Sequence, residues 1–95
     1  MNCKQLKELI NHQSDISIID IREPYEYDEG AISDINVPLN QVLDRIDELP
    51  KNTPLILYCN SGKRSKALKF ILEKFHSFKN IDHLEGGYLS WINQS

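Results

Sequence analysis

The segment Cys59-Asn60-Ser61-Gly62-Lys63-Arg64-Ser65 puts one thiol at the head of a short polar loop that also holds a glycine and two fixed positive charges. Ahead of it runs Leu55-Ile56-Leu57-Tyr58, continuously apolar, as a strand covered on both faces should be. Behind it, Ala67, Leu68, Ile71, Leu72 and Phe75 fall on one side of a helix over 65–75, with Lys66, Lys69, Glu73 and Lys74 on the other. Phe70 fits that division poorly. Strand, cysteine, loop and helix in this order favour a thiolate. The helix start leaves backbone N–H groups unpaired at the positive end of the helix dipole, and Gly62 permits a backbone turn that aims loop amides at an anion. A thiol with a pKa of about 8.5 is only about 3 % ionised at pH 7, whereas a pKa of roughly 6.5 makes it about three-quarters thiolate. That difference is about 2.7 kcal/mol in favour of the anion. Helix end, loop amides, Lys63 and Arg64 can supply it together, with no histidine as base. His12, His76 and His83 read as surface or internally satisfied side chains.

Two further groups are candidates for support. Asp20 and Arg22 lie at the C-terminal end of the mostly apolar stretch 17–21, with Glu23 just beyond; Asp20 and Glu23 offer carboxylates for a loop guanidinium, although Asp20 with Arg22 is equally a turn-stabilising ion pair. Gly86-Gly87 suits a tight turn more than substrate contact. Cys3 lies near the start of the chain with no glycine loop behind it, and reads as an incidental thiol.

The elements that position these residues alternate. Leu6, Leu9 and Ile10 predict a short helix over 4–12, which Asn2 is placed to cap. Residues 17–21 predict a buried strand, 25–33 a connection with one helical turn, and 35–38 a brief strand limited by Pro38. Leu39, Val42, Leu43, Ile46 and Leu49 predict a second helix that stops at Pro50. Residues 81–84 predict a last strand, and 88–92 a final helical piece in which Trp91 faces the core. The expected fold is α/β: a small parallel sheet of four to five strands with helices on both faces, in which ligands gather beyond the carboxyl ends of the strands. Cys59, Asp20 and Gly86 all fall at such ends.

Ninety-five residues are expected to form one domain, 1–95, with room for one modest core. Neither cysteine belongs to a zinc-type cluster, so no metal and no cofactor is expected. Met1 to Gln13 lacks an apolar run of signal-peptide length and no stretch has the apolar length of a membrane span, which predicts a cytoplasmic, reduced protein without membrane contact. Residues 1–50 hold four Lys or Arg against eleven Asp or Glu, and residues 51–95 seven against three. The basic excess starts at Lys63 and can draw an anionic substrate, but aromatic residues do not interleave with it in the manner of a nucleic-acid site.

At this point the chain resembles the single-domain rhodaneses. Cys59 to Ser65 is similar to their Cys-x-x-Gly-x-Arg-Ser loop, Asp20-Ile21-Arg22-Glu23-Pro24-Tyr25-Glu26 to their Asp-hydrophobic-Arg-Glu-Pro-x-Glu segment, Asn36-Val37-Pro38-Leu39 to their Asn-Ile-Pro-Leu, and Gly86-Gly87-Tyr88-Leu89-Ser90-Trp91 to their closing Gly-Gly-x-x-x-Trp. The four motifs stand in the family's order across nearly the whole chain. One departure is Gly30-Ala31-Ile32-Ser33-Asp34-Ile35, where the family usually has Gly-His-Ile-Pro-Gly-Ala. The resemblance implies sulfur transfer. Cys59 attacks the outer sulfur of a donor such as thiosulfate, sulfite leaves, and the persulfide is held by the loop from Asn60 through Ser61, Gly62 and Lys63 to Arg64. A thiol or cyanide, or a protein partner in a sulfur relay, then takes the sulfur. Lys63 would attract the donor, and Arg64 would brace the loop through Asp20 or Glu23. Ser65, Asp20, Arg22, Glu23, Gly86 and Gly87 would support it.

Two other classes compete. Cysteine-dependent phosphatases and arsenate reductases place five residues between Cys and Arg, where this chain has four, and no acid is positioned here to protonate a leaving alkoxide. Ser61-Gly62-Lys63 is no P-loop, because Leu57 stands where its first glycine belongs. The stronger rival is a rhodanese-like module that binds or regulates and transfers nothing; such modules often lack the cysteine that this chain retains.

Overall fold

Leu55–Tyr58 forms the middle strand, β2, of a three-stranded parallel sheet, and all four of its residues are buried. A computed structural model describes residues 1–94. On one side of β2 lies β1 (Ser17–Asp20), with Ser17 opposite Leu55 and Asp20 opposite Tyr58. On the other lies β3 (Ile81–His83), with Leu55 opposite Ile81 and Leu57 opposite His83. Parallel neighbours need crossovers, and helices provide them. Along the chain come α1 (Cys3–Asn11), β1, α2 (Pro24–Glu29), α3 (Leu39–Val42), a 3-10 turn at Ile46–Glu48, β2, α4 (Lys63–Phe75), β3 and α5 (Gly87–Asn93).

Side chains alternate across a strand, so β2 feeds two separate cores. Leu55, Leu57 and Cys59 pack with Ile19, Ile21, Val42, Leu68 and Leu72 on the face covered by α3 and α4. Ile56 and Tyr58 pack with Leu6, Leu84, Tyr88 and Trp91 on the face covered by α1 and α5. Helices thus stand on both faces, as the apolar pattern of β2 requires. Asn2 caps α1 through a reciprocal pair, Gln5 N–H to Asn2 Oδ1 at 2.8 Å and Asn2 N–H to Gln5 Oε1 at 2.9 Å.

Among the described residues the sheet has three strands, not four or five. The expected strand at 35–38 is reduced to one bridge between Asp20 and Asn36. Asp20 N–H reaches Ile35 O at 2.9 Å and Val37 N–H reaches Asp20 O at 2.9 Å, but Arg22 N–H, which would continue the ladder to Val37 O, donates to Asp20 Oδ1 at 2.8 Å instead, and Leu39 N–H goes to Ile21 O at 3.0 Å as α3 begins. The expected helix from Leu39 to Leu49 is likewise broken. Arg45 leaves helical geometry at φ −113° and ψ 24°, and the chain tightens into the 3-10 turn, whose N-cap it is. Val42, Ile46 and Leu49 face the core, whereas Leu39 and Leu43, assigned to the same side by the spacing, are exposed once the helix breaks. Phe75, assigned by the same spacing to the apolar side of α4, is 66 % exposed in that helix's last turn.

Asp20 and Arg22 form a buried ion pair. Arg22 Nη2 donates to Asp20 Oδ2 at 2.7 Å, and Nε to Oδ1 at 3.0 Å. Nη2 also donates to Gly30 O at 2.6 Å, and the guanidinium lies 4.3 Å from the Tyr88 ring and 5.6 Å from that of Tyr58. The loop that lacks the family's His and Pro is held by the same cluster: the Tyr58 hydroxyl accepts from Ile32 N–H at 3.0 Å. Burial pushes the Tyr58 phenol up to about 12, so it remains protonated. Among the described residues, no helix is long and apolar enough to cross a membrane.

Replacing Arg22 by Met strands a buried carboxylate. The expected loss of stability is about 3–5 kcal/mol, a large part of what a domain of this size has. Urea unfolding checks this as a lowered midpoint at unchanged slope.

Candidate active site

The carboxyl end of β2 delivers Cys59 to the point where the chain must reverse into α4. Gly62, at φ +96°, makes the reversal and caps α4, a conformation that L side chains rarely adopt. The turn folds two amides back onto the cysteine: Gly62 N–H lies 3.1 Å and Ser65 N–H 3.3 Å from Cys59 Sγ. Ser65 Oγ stands 3.6 Å from the same sulfur. Burial is the largest influence on the thiol and raises its pKa. It is outweighed by the Ser65 hydroxyl and by the Ser65, Gly62 and Arg64 amides, which together hold the thiol below its ordinary value.

Cys59 is 0 % exposed, so its sulfur is enclosed with the amides aimed at it. Beside it opens a cleft of about 530 Å³, lined by Ser61, Gly62, Lys63, Lys66, His83, Glu85 and Gly86. The first turn of α4 has no acidic residue; it carries Lys63, Arg64 and Lys66 instead. Cations at a helix N-terminus oppose the dipole at a cost of about 0.3–1 kcal/mol each. Here Lys63 and Lys66 line the cleft beside the sulfur, with Glu85 as the opposing charge.

The second glycine motif holds this loop from behind. The Tyr88 amide donates to Cys59 O at 2.8 Å and the Leu89 amide to Asn60 O at 3.0 Å. A Cβ on Gly87 would lie 2.5 Å from both carbonyl oxygens, and one on Gly62 would lie 3.1 Å from the Gly86 nitrogen. The two turns touch through bare backbone.

Sequence and structure place most of the same residues here. Cys59, Gly62, Arg64 (by its amide) and Ser65 surround the sulfur, Asn60 meets α5, and Ser61, Lys63 and Gly86 line the cleft. Asp20, Arg22 and Glu23 do not join them. Asp20 and Arg22 serve each other among the rings of Tyr58 and Tyr88, and the Glu23 amide donates to Glu26 Oε1 at 3.0 Å as the start of α2. Arg64 finds neither expected carboxylate; it pairs with Glu26, Nη1 to Oε1 at 3.4 Å. Asp20 is unavailable because Arg22 occupies it, and Glu26 projects one turn further along. Sequence reasoning passed over Glu26 as a partner, although it closes the Asp20–Glu26 motif. It also set aside His83, whose Nδ1 lies 3.1 Å from Ser65 Oγ. The signal for His83 was its place at the carboxyl end of a strand beside β2.

A sequence model of the Rhodanese-like domain matches residues 2–94. The chain belongs to the rhodanese-like domain family. A protein named sulfurtransferase from Allochromatium vinosum is 28% identical over 93 residues, covering 96% of this chain and 85% of its own. A tRNA uridine(34) hydroxylase from Buchnera aphidicola is 31% identical over 103 residues, but this chain spans only 32% of that protein's length. The crystal structure of a rhodanese-related protein from Thermoplasma volcanium superposes with a TM-score of 0.85 at 31% identity, over 97% of this chain and 88% of the other.

In this rhodanese-like domain Gly87→Ala is expected to cost at least about 1–3 kcal/mol, since the added Cβ meets two carbonyl oxygens at a backbone angle that favours glycine. Urea unfolding reads the loss, and faster hydrogen exchange at the Tyr88 amide places it against the cysteine loop.

Proposed function

We propose that residues 1–95 work as one rhodanese-like unit whose activity is sulfur transfer through a persulfide on Cys59. The observation that carries this reading is the convergence of the Gly62 and Ser65 amides on Cys59 Sγ. Main-chain donors fixed around a sulfur stabilise an anion there without reorganising when it forms.

The first step needs a thiolate and a leaving group. Cys59 Sγ attacks the outer sulfur of a donor such as thiosulfate. A sulfur–sulfur bond forms, the donor's own sulfur–sulfur bond breaks, and sulfite departs with the electron pair. Sulfite is already a stable anion, so no general acid is required. In the second step a thiol or cyanide, or the thiol of a relay partner, takes the outer sulfur and restores the thiolate. Asn60, Ser61, Gly62, Lys63 and Arg64 form the cradle, Lys63 with Lys66 attracts the anionic donor through the cleft, and Arg64 braces the loop against Glu26. Ser65 supports the sulfur directly; Gly86 and Gly87 support the loop; Asp20, Arg22 and Glu23 support the fold that carries it. A reducing compartment such as the cytoplasm keeps the thiol available.

Exposure of the reduced protein to thiosulfate, followed by mass spectrometry, tests the reading. The peptide bearing Cys59 is expected to gain one sulfur mass, Cys59→Ser to abolish both the adduct and turnover, and Cys3→Ser to leave them intact. A folded, reduced protein that gains no sulfur would instead be a binding module.

A further inference from the structure

An enclosed nucleophile has to lose its proton by some route. The groups that meet Cys59 Sγ, among the described residues, are the amides of Gly62, Arg64 and Ser65 and the Ser65 hydroxyl. Amides only donate, so the hydroxyl at 3.6 Å is the one group of the four able to take a proton from sulfur. Ser65 is itself fully buried, and beyond the sulfur its Oγ meets two groups: Gly62 O at 3.2 Å and His83 Nδ1 at 3.1 Å. The carbonyl cannot be protonated near neutral pH, and the imidazole can. His83 is half-buried and lines the cleft with Lys63 and Lys66. Sulfur, hydroxyl and imidazole therefore form a chain from the interior to solvent.

We propose that His83 is a positioning residue that acts through the Ser65 hydroxyl, connecting the enclosed Cys59 sulfur to the cleft and carrying its proton out. The inference rests on the reading of Cys59 as a working thiolate. In the resting thiol, Cys59 S–H donates to Ser65 Oγ, the Ser65 O–H donates to His83 Nδ1, and the imidazole keeps its proton on Nε2. On ionisation the sulfur's proton passes to Oγ, the Oγ proton passes to Nδ1, and the Nε2 proton goes to water in the cleft. One proton has left, the imidazole is neutral in its other tautomer, and the sulfur is an anion accepting the Ser65 hydroxyl. A histidine that stays neutral suits this relay better than one that stores the charge. The surroundings of His83 favour neutrality. Burial lowers its pKa most, and the Met1 amino group and Lys69 lower it further, against the opposing pull of Asp82 and Glu85. Lys63 and Lys66 share its cleft.

Alkylation by iodoacetamide in a Cys3→Ser background reads the Cys59 thiolate alone and requires no sulfur donor. The imidazole nitrogens of the same Cys3→Ser protein, followed by NMR across the Cys59 titration that alkylation locates, read the relay itself. His83 is expected to carry its proton on Nε2 while the thiol is intact and on Nδ1 once the sulfur is ionised, and S65A, which removes the link, is expected to hold one tautomer throughout. A tautomer that does not change as Cys59 ionises, or a change that survives in S65A, overturns the relay. If S65A does not fold, the parent protein's tautomer across the titration decides it alone. A change of tautomer in a protein that thiosulfate does not load would uphold the relay while refuting sulfur transfer; loading with an unchanged tautomer would do the reverse.

Discussion

The interaction on which the rest depends is the meeting of Gly62 and Ser65 amides at one sulfur. Enclosing an anion is costly unless hydrogen bonds replace the lost water, and here the replacements come from main chain whose direction is set by the fold. Those amides are free because the loop's carbonyls are satisfied elsewhere, by Tyr88 and Leu89 at the start of α5. Three glycine-dependent features therefore act as one: the left-handed turn at Gly62, the left-handed backbone of Gly86 and Gly87, and the bare contact between the two turns.

The two faces of β2 divide the work. Cys59 points into the core beneath α4, while Tyr58, one residue earlier, points to the other face, where Arg22 and Asp20 are locked together beneath its ring. The buried ion pair is far from a free gain in stability, since both charges lose their hydration. It does hold Gly30 and the segment after it, and so fixes the end of α2, which presents Glu26 to Arg64. The charge pattern of α4 follows a related logic. A first turn made of Lys63, Arg64 and Lys66 is poor helix design and a good electrostatic setting for an anion, as expected where local rules yield to a site.

Much of this was legible in the residues. The apolar run of β2, the handover at Cys59 and the amphipathic α4 were readable because each rests on local pattern or on turn chemistry with few alternatives. The four motifs identified the family, and the full-length family match agrees. What the sequence concealed was pairing between side chains distant along the chain. Arg64 had three carboxylates within the Asp20–Glu26 motif to choose from, and only the fold shows that Arg22 removes one and that Glu23 begins a helix. His83 looked like an ordinary histidine because its role depends on the parallel register that sets β3 beside β2. The missing fourth strand and the divided helix after Leu39 have a different reason: apolar spacing marks a side that can be buried, while strands and helices are defined by hydrogen bonds, and Leu43 and Phe75 show that not every residue on that side is covered.

The most direct measurement is an ultraviolet titration of the thiolate in the Cys3→Ser protein. Because the hydrogen bonds favour the anion, its absorbance should persist below the ordinary thiol range and disappear only as pH falls through the lowered pKa. A midpoint at or above that of a free thiol would mean that burial prevails over the amides, and the account of Cys59 would be wrong.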